Sequence, residues 1–310
     1  MLTVSLILAG ALAAQEPAKM PAGGGFVGRW NVKITDAEDT FASGGFQIAK
    51  KDGALSAGVV WRWGSYLPAK SVEVKDGTLV LVREEKPGKP DVFEGRLEGD
   101  TLKGKATLAD GMVQHFEGRR APLLLSKKAP VWDTPVTLFD GKTLAGWKLR
   151  DTKKKNGWAV VNGELAVVES KDNADLVSEQ SFQDVKIHIE FNVDPKSNSG
   201  VYLRGRYEIQ ILDNPDAKMA LDAHGCGGVY SRIAPKADAT KPAGEWQTYD
   251  ITFVGRQVTV VLNGKTIVQD VVDGITGGAI DPYEEKPGPL MLQGDHGKVR
   301  FRNIVVTPGR

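Results

Sequence analysis

Ser197-Asn198-Ser199-Gly200-Val201-Tyr202-Leu203-Arg204-Gly205-Arg206-Tyr207-Glu208-Ile209-Gln210-Ile211-Leu212-Asp213 reads as two short strands that turn near Gly205-Arg206. Successive side chains of a strand point to opposite faces, so Glu208 and Gln210 share one face while Tyr207, Ile209 and Ile211 share the other. Tyr202 and Arg204 alternate likewise on the preceding strand. One face suits a core, and the other carries Tyr, Arg, Glu and Gln. That polar face offers a fixed cation, a carboxylate, an amide that donates and accepts, and an aromatic platform. The combination suits a sugar, which presents hydroxyls on its edge and C–H groups on its face. The bland account of the same residues is an Arg204–Glu208 ion pair across an exposed sheet.

The rest of the chain repeats this grammar. Val72-Glu73-Val74 leads through Lys75-Asp76-Gly77 into Leu79 to Val82, and Val258 to Leu262 leads through Asn263-Gly264 into Thr266-Ile267-Val268. Asp-Gly and Asn-Gly supply the positive φ that two-residue hairpins require. No long amphipathic helix is evident, so the expected class is all-β. A first block, 25–125, opens with Phe26-Val27-Gly28-Arg29-Trp30 and twice uses Phe-Glu-Gly-Arg, at Phe93 and Phe116. Its hairpin order and Gly-x-Trp opening resemble a lipocalin-like barrel, and small barrels are usually filled by side chains. No titratable cluster is visible in it, so it is assigned no chemistry. Residues 126–135, with Pro130 and Pro135, suit a stiff linker. The second block, 136–308, is long enough for a two-sheet sandwich whose last strand pairs near its first.

Composition narrows the function. Across 310 residues, 40 Lys and Arg nearly cancel 39 Asp and Glu, which argues against nucleic acid or anionic lipid as a partner. Lys127-Lys128 and Lys153-Lys154-Lys155 are short runs read as solvated loop surface. Leu2 to Ala14 is apolar and ends in Ala11-Leu12-Ala13-Ala14, which fits a signal peptide over 1–14 and export to the periplasm or beyond. No Lys or Arg precedes the run, and it is shorter than the ~20 residues of a membrane span. Cys226 is the only cysteine, so no disulfide can form within the chain; a buried small apolar role suits it better than that of a nucleophile.

Two further clusters carry candidate chemistry. Leu290-Met291-Leu292-Gln293-Gly294-Asp295-His296-Gly297 places a His, the side chain best poised for proton transfer near neutrality, between glycines at a strand end. An Asp that merely caps its own turn explains the same residues equally well. His224-Gly225-Cys226-Gly227-Gly228-Val229-Tyr230 allows close approach of backbone to ligand but leads into no helix, which excludes a phosphate loop. His188 and His115 sit in strands and read as structural.

The second block resembles the 3-keto-disaccharide hydrolase domain family, which has a concanavalin A-like lectin/glucanase jelly roll. The matching residues are Leu138-Phe139-Asp140-Gly141-Lys142 with Gly146-Trp147, Trp158 to Leu165, Asn198 to Arg204, Tyr207 to Asp213, Gly244-Glu245-Trp246-Gln247, Asp295-His296-Gly297 and Phe301-Arg302-Asn303-Ile304. The resemblance implies cleavage of glycosides already oxidised at C3. A 3-ketone acidifies the C2 proton, so a base removes it, the C1 substituent leaves, and water adds. Such a site needs a base, an acid, and a cation or donor for the enolate oxygen. Glu208 and His296 are the candidates for base and acid, in either order, and Arg204 for the enolate. Gln210, with Tyr202, Asp213, Tyr230 and Asn198, is a candidate for holding sugar hydroxyls. Asp295 would orient His296 or, with His296 and Glu208, hold a divalent metal ion. Two rivals stand beside this reading. One is a non-catalytic lectin-like module, since fold alone does not set function. The other is a retaining glycosidase, because Glu208-Ile209-Gln210-Ile211-Leu212-Asp213 is similar to the Glu-x-Asp-x-x-Glu strand of family 16. There Gln210 replaces an Asp and Asp213 the second Glu.

Overall fold

Asn263 and Gly264 adopt φ of 50° and 81° between the paired residues Leu262 and Lys265, and Asp76 and Gly77 adopt 49° and 73° between Lys75 and Thr78. Both are two-residue turns with positive φ at each central position, the geometry whose twist matches that of flanking strands. The computed structural model describes residues 24–124 and 129–310. The expected signal segment, 1–14, and Lys127-Lys128 lie outside the described residues. Apart from a 3-10 turn and a four-residue helix at Ala217–Ala220, the regular elements are strands. No described helix is long and apolar enough to cross a membrane.

The first nine strands form one antiparallel sheet. Its order is Leu67–Pro68, Ala54–Trp61, Ser43–Lys51, Gly28–Ile34, Val113–Arg120, Thr101–Thr107, Lys89–Glu98, Thr78–Lys86, Ser71–Lys75. Ala69 N–H bonds to Ala57 O and Lys70 N–H to Val82 O, so adjacent residues tie the two ends of the curled sheet together. The interior is filled by Trp30, Phe46, Trp61, Phe93 and Phe116, all at most 3% exposed. Phe93 and Phe116, the two Phe-Glu-Gly-Arg aromatics, meet Trp61 edge-on at 5.0 and 5.8 Å. Each such fully buried side chain contributes roughly 1.5–3 kcal/mol relative to exposure.

The remaining strands form an eight-stranded and a five-stranded sheet packed face to face, a jelly-roll sandwich. The larger includes Asp184–Val193, Gln247–Val254, Gln257–Leu262 and Val299–Gly309; the smaller runs Trp147–Leu149, Leu176–Phe182, Gly288–Leu292, Asn198–Leu203, Tyr207–Leu212. Val136 pairs with Val306, so the last strand does meet the first. Val131 and Asp133 also bond to Arg310 and Pro308, laying the end of the expected linker along that last strand. Ile209, Ile211, Val201 and Leu292 of the smaller sheet interdigitate with Phe191, Tyr249 and Ile251 of the larger. Glu208, Gln210 and Tyr202 therefore occupy the other face of the smaller sheet, which turns toward the first domain.

Candidate active site

Tyr207–Leu212 lies at the edge of its sheet, and its register with Asn198–Leu203 sets Tyr202 opposite Glu208 and Gly200 opposite Gln210. The free edge is covered by the glycine-rich loop: Gln210 N–H bonds to Gly228 O, and Tyr230 N–H to Glu208 O. An added Cβ at Gly200 would lie 2.3 Å from Glu208 Oε1, so glycine there makes room for the carboxyl to lie across the neighbouring strand. Tyr202 O–H donates to Glu208 Oε2 at 2.8 Å. Glu208 is 3% exposed. Burial pushes its carboxyl up to about 8, against the lowering effects of the Tyr202 hydrogen bond and of His296.

A cleft of about 450 Å³ opens above this floor, within the range of small-molecule sites. Glu208, His296, Asp295, Gln210, Tyr202, Tyr230 and Asn198 all line it. His296 Nδ1 lies 2.5 Å from Asp295 Oδ1, which makes Nδ1–H the donor and leaves Nε2 free to exchange a proton. That hydrogen bond, aided by the charges of Asp295, Glu208 and Asp175, lifts His296 above its ordinary value despite burial. Burial pulls the Asp295 carboxyl up, but His296 and Lys154 outweigh it and hold it low. The turn that could have been incidental is thus a carboxylate–imidazole pair facing a buried acid.

Three amide side chains complete the lining. Asn198 Oδ1, Gln210 Oε1 and Gln293 Oε1 are buried with no hydrogen-bond partner in the protein. Buried polar atoms are rarely left so, and these three gather in one cleft.

Several expectations are corrected. Arg204 does not enter the cleft. The strand ends at Leu203, and Arg204 takes a φ of 52°, which breaks the alternation that Tyr202 follows. Its guanidinium instead stacks 4.4 Å from the Phe253 ring centroid of the opposite sheet and pairs with Asp184 at 3.1 Å. The Arg204–Glu208 ion pair is absent for the same reason. Asp213 also lies away from the cleft lining, accepting from Lys196 N–H at 2.8 Å, so the second carboxylate of a family 16 strand has no counterpart there. Among the described residues no three His, Cys, Asp or Glu side chains are gathered to hold a metal ion. Asp295, expected either to orient His296 or to join it and Glu208 around a metal ion, directs its oxygens to His296 and to Lys154 Nζ at 3.3 Å. Cys226 is buried against Tyr249 O–H at 3.2 Å and pushed by burial to about 11, which suits the apolar role and not a nucleophile.

The structure adds residues that the sequence did not single out. Lys154, read as solvated surface, reaches the cleft. Arg150 spans the wall, donating to Gly278 O at 2.6 Å, Thr40 O at 2.9 Å and Asp175 Oδ2 at 3.3 Å. Burial holds Asp175 above the ordinary carboxylate range even beside that guanidinium. Asp39, Phe41 and Trp63 come from the first domain. Lone charges and aromatics in loops carry no periodic signal, so only Gln293, inside a cluster already noted, was within reach of sequence reasoning.

Comparison with known proteins places the second block in a family. A family model described as the 3-keto-alpha-glucoside-1,2-lyase-like domain matches residues 134–307. A 3-keto-disaccharide hydrolase from Bacteroides thetaiotaomicron VPI-5482 is 25% identical over 208 residues, covering 56% of this chain and 72% of its own. Among solved structures, a Parabacteroides distasonis protein provisionally described as a glycosyl hydrolase is 29% identical. It aligns with 56% of this chain and 82% of its own, at a TM-score of 0.47.

Proposed function

This chain belongs, through residues 134–307, to the 3-keto-alpha-glucoside-1,2-lyase-like domain family, and from that premise we propose that it hydrolyses glycosides carrying a ketone at C3 of the sugar. The observation that carries the reading is one cleft holding a buried carboxyl that keeps its proton to about pH 8 beside an Asp-oriented imidazole. His296 Nε2 takes the C2 proton. The C2–H electrons move into the C2=C3–O⁻ enolate; as that enolate returns to the ketone they form the C1=C2 bond, the C1–O bond breaks, and Glu208 gives its proton to the departing oxygen. Lys154, in the role first considered for Arg204, meets the enolate charge, and Asn198, Gln210 and Gln293 hold hydroxyls. In the return half, Glu208 takes a proton from water as its oxygen adds to C1, and His296 returns a proton to C2. The sum is hydrolysis. A lectin would have no use for a buried ionisable pair, which burial makes costly. General acid–base groups contribute typically 10²–10⁴-fold.

The test incubates the protein with a 3-keto glucoside and with its unoxidised parent, following aglycone release. Release from the oxidised sugar alone, lost at least about a hundredfold in Glu208→Gln, supports the reading. Cleavage of the parent points to ordinary glycosidase chemistry, and binding without cleavage to a lectin. We propose export as well, from the apolar Leu2 to Ala14 run; a mature protein whose first residue is not Gln15 argues against that processing site.

A further inference from the structure

We propose that the first domain supplies a subsite for the group carried on C1, with Trp63 as a stacking platform for a planar or ring-shaped leaving group. The inference rests on the reaction proposed above for the location of the sugar, and on the two-domain cleft for everything else.

Depth decides which part of a substrate meets which wall. The buried carboxyl and the unpartnered amides lie on the floor, so the oxidised ring must descend to them. What remains nearer the mouth is the C1 substituent, and the lining includes Phe41, half-buried, and Trp63, exposed. Trp63 is 59% exposed, a large apolar surface left open beside a polar pocket. Its ring is nonetheless held. Phe41 meets it at 89° with centroids 5.6 Å apart, and the Arg62 guanidinium lies 4.2 Å from its centroid. Arg62 is itself paired with Asp39, another residue of the lining. An exposed aromatic held from two sides is prepared to receive a ring at little entropic cost.

The seam between domains fixes this wall against the floor. Gly278 N–H bonds to Arg62 O at 2.9 Å, and Arg150 bridges Gly278 O and Thr40 O. Gly277 packs so closely that an added Cβ would lie 2.5 Å from Gly64 O and 2.6 Å from Trp63 O. These atoms are backbone, which cannot swing aside. Gly277 is therefore a positioning residue for Trp63, though it does not line the cleft.

The experiment compares a 3-keto disaccharide with methyl 3-keto-glucoside, using the full chain, Trp63→Ala, Trp63→Phe and Gly277→Ala. The expected result is a fall of about tenfold in the kcat/KM ratio, disaccharide over methyl, for Trp63→Ala, with Trp63→Phe recovering much of it. Gly277→Ala should lower the same ratio without altering any lining side chain. A loss shared equally by both substrates, or an unchanged ratio, overturns the proposal. Binding of phenyl glucoside and methyl glucoside, measured by calorimetry on the same proteins, separates the two readings. If no 3-keto sugar is cleaved but phenyl glucoside binds more tightly in a Trp63-dependent way, the subsite stands and the reaction falls. If neither glycoside binds at millimolar concentration, or the phenyl preference survives Trp63→Ala, the subsite falls.

Discussion

A carboxyl that is 3% exposed and pushed by burial up to about 8 holds a proton at neutral pH and loses it within the range of ordinary assays. With Glu208 as acid and His296 as base, activity needs the first protonated and the second neutral. The rate should fall as pH drops below the raised value of His296, above 6.5, and fall again as pH rises through about 8. A profile still climbing at pH 9.5 would remove Glu208 from the role of proton donor. The same group affects stability. Its folded value lies above the 4.5 of an exposed glutamate, so its contribution is fully present below 4.5 and is lost as pH rises toward 8. Glu208→Gln has nothing to ionise and keeps the acceptor for Tyr202. Melting temperatures should show the variant gaining a few degrees over the parent at pH 8.5, and little at pH 4.5. An equal shift at both values counts against the buried-acid account.

At the scale of the element, the strand pair Asn198–Leu203 and Tyr207–Leu212 works through register. Gly200 opposite Gln210 leaves the space into which Glu208 folds, with Tyr202 opposite to receive it. Gly200→Ala meets the end of a flexible side chain and not backbone, so the fold should tolerate it while the carboxyl moves. Displacing a catalytic group by about 1 Å costs on the order of 100-fold. Kinetics on the variant should show kcat reduced about 10- to 100-fold with its melting temperature nearly kept; normal kcat would mean that the carboxyl position is not critical. Glu208 and Gln210 were legible as one face because period two survives along a regular strand. Arg204 was not, because one residue in the left-handed region cancels that period and no local signal announced it.

The whole molecule is joined by charges as well as by chain. Arg29 of the first domain donates to both oxygens of Glu284, at 2.9 and 2.6 Å, and Tyr207 O–H donates to the same carboxylate at 2.7 Å. Tyr207 is the neighbour of Glu208, so this joint reaches the site strand. Glu284 is 0% exposed, and removing its cation leaves a buried carboxylate with the Tyr207 hydroxyl but no opposite charge, which costs up to about 3–5 kcal/mol. Arg29→Ala should lower the melting temperature measurably by calorimetry. A transition that does not move would show that the two domains are thermodynamically independent. The first domain, read from sequence as carrying no chemistry, owes its place in the cleft to contacts of this kind.

Alternation, turn residues and the ordered motifs of the second block were enough to establish an all-β chain, its jelly roll, and Glu208, His296 and Gln210 as the residues to watch. These are local properties, carried by period two, by the positive φ of Asn-Gly and Asp-Gly, and by short spacings. That Arg204 leaves the cleft, that Lys154 reaches Asp295, and that Phe41 and Trp63 wall the cleft were decided only by tertiary structure. Each depends on segments separated by a hundred residues or more meeting at one point, or on a single backbone dihedral, and neither leaves a pattern along the chain.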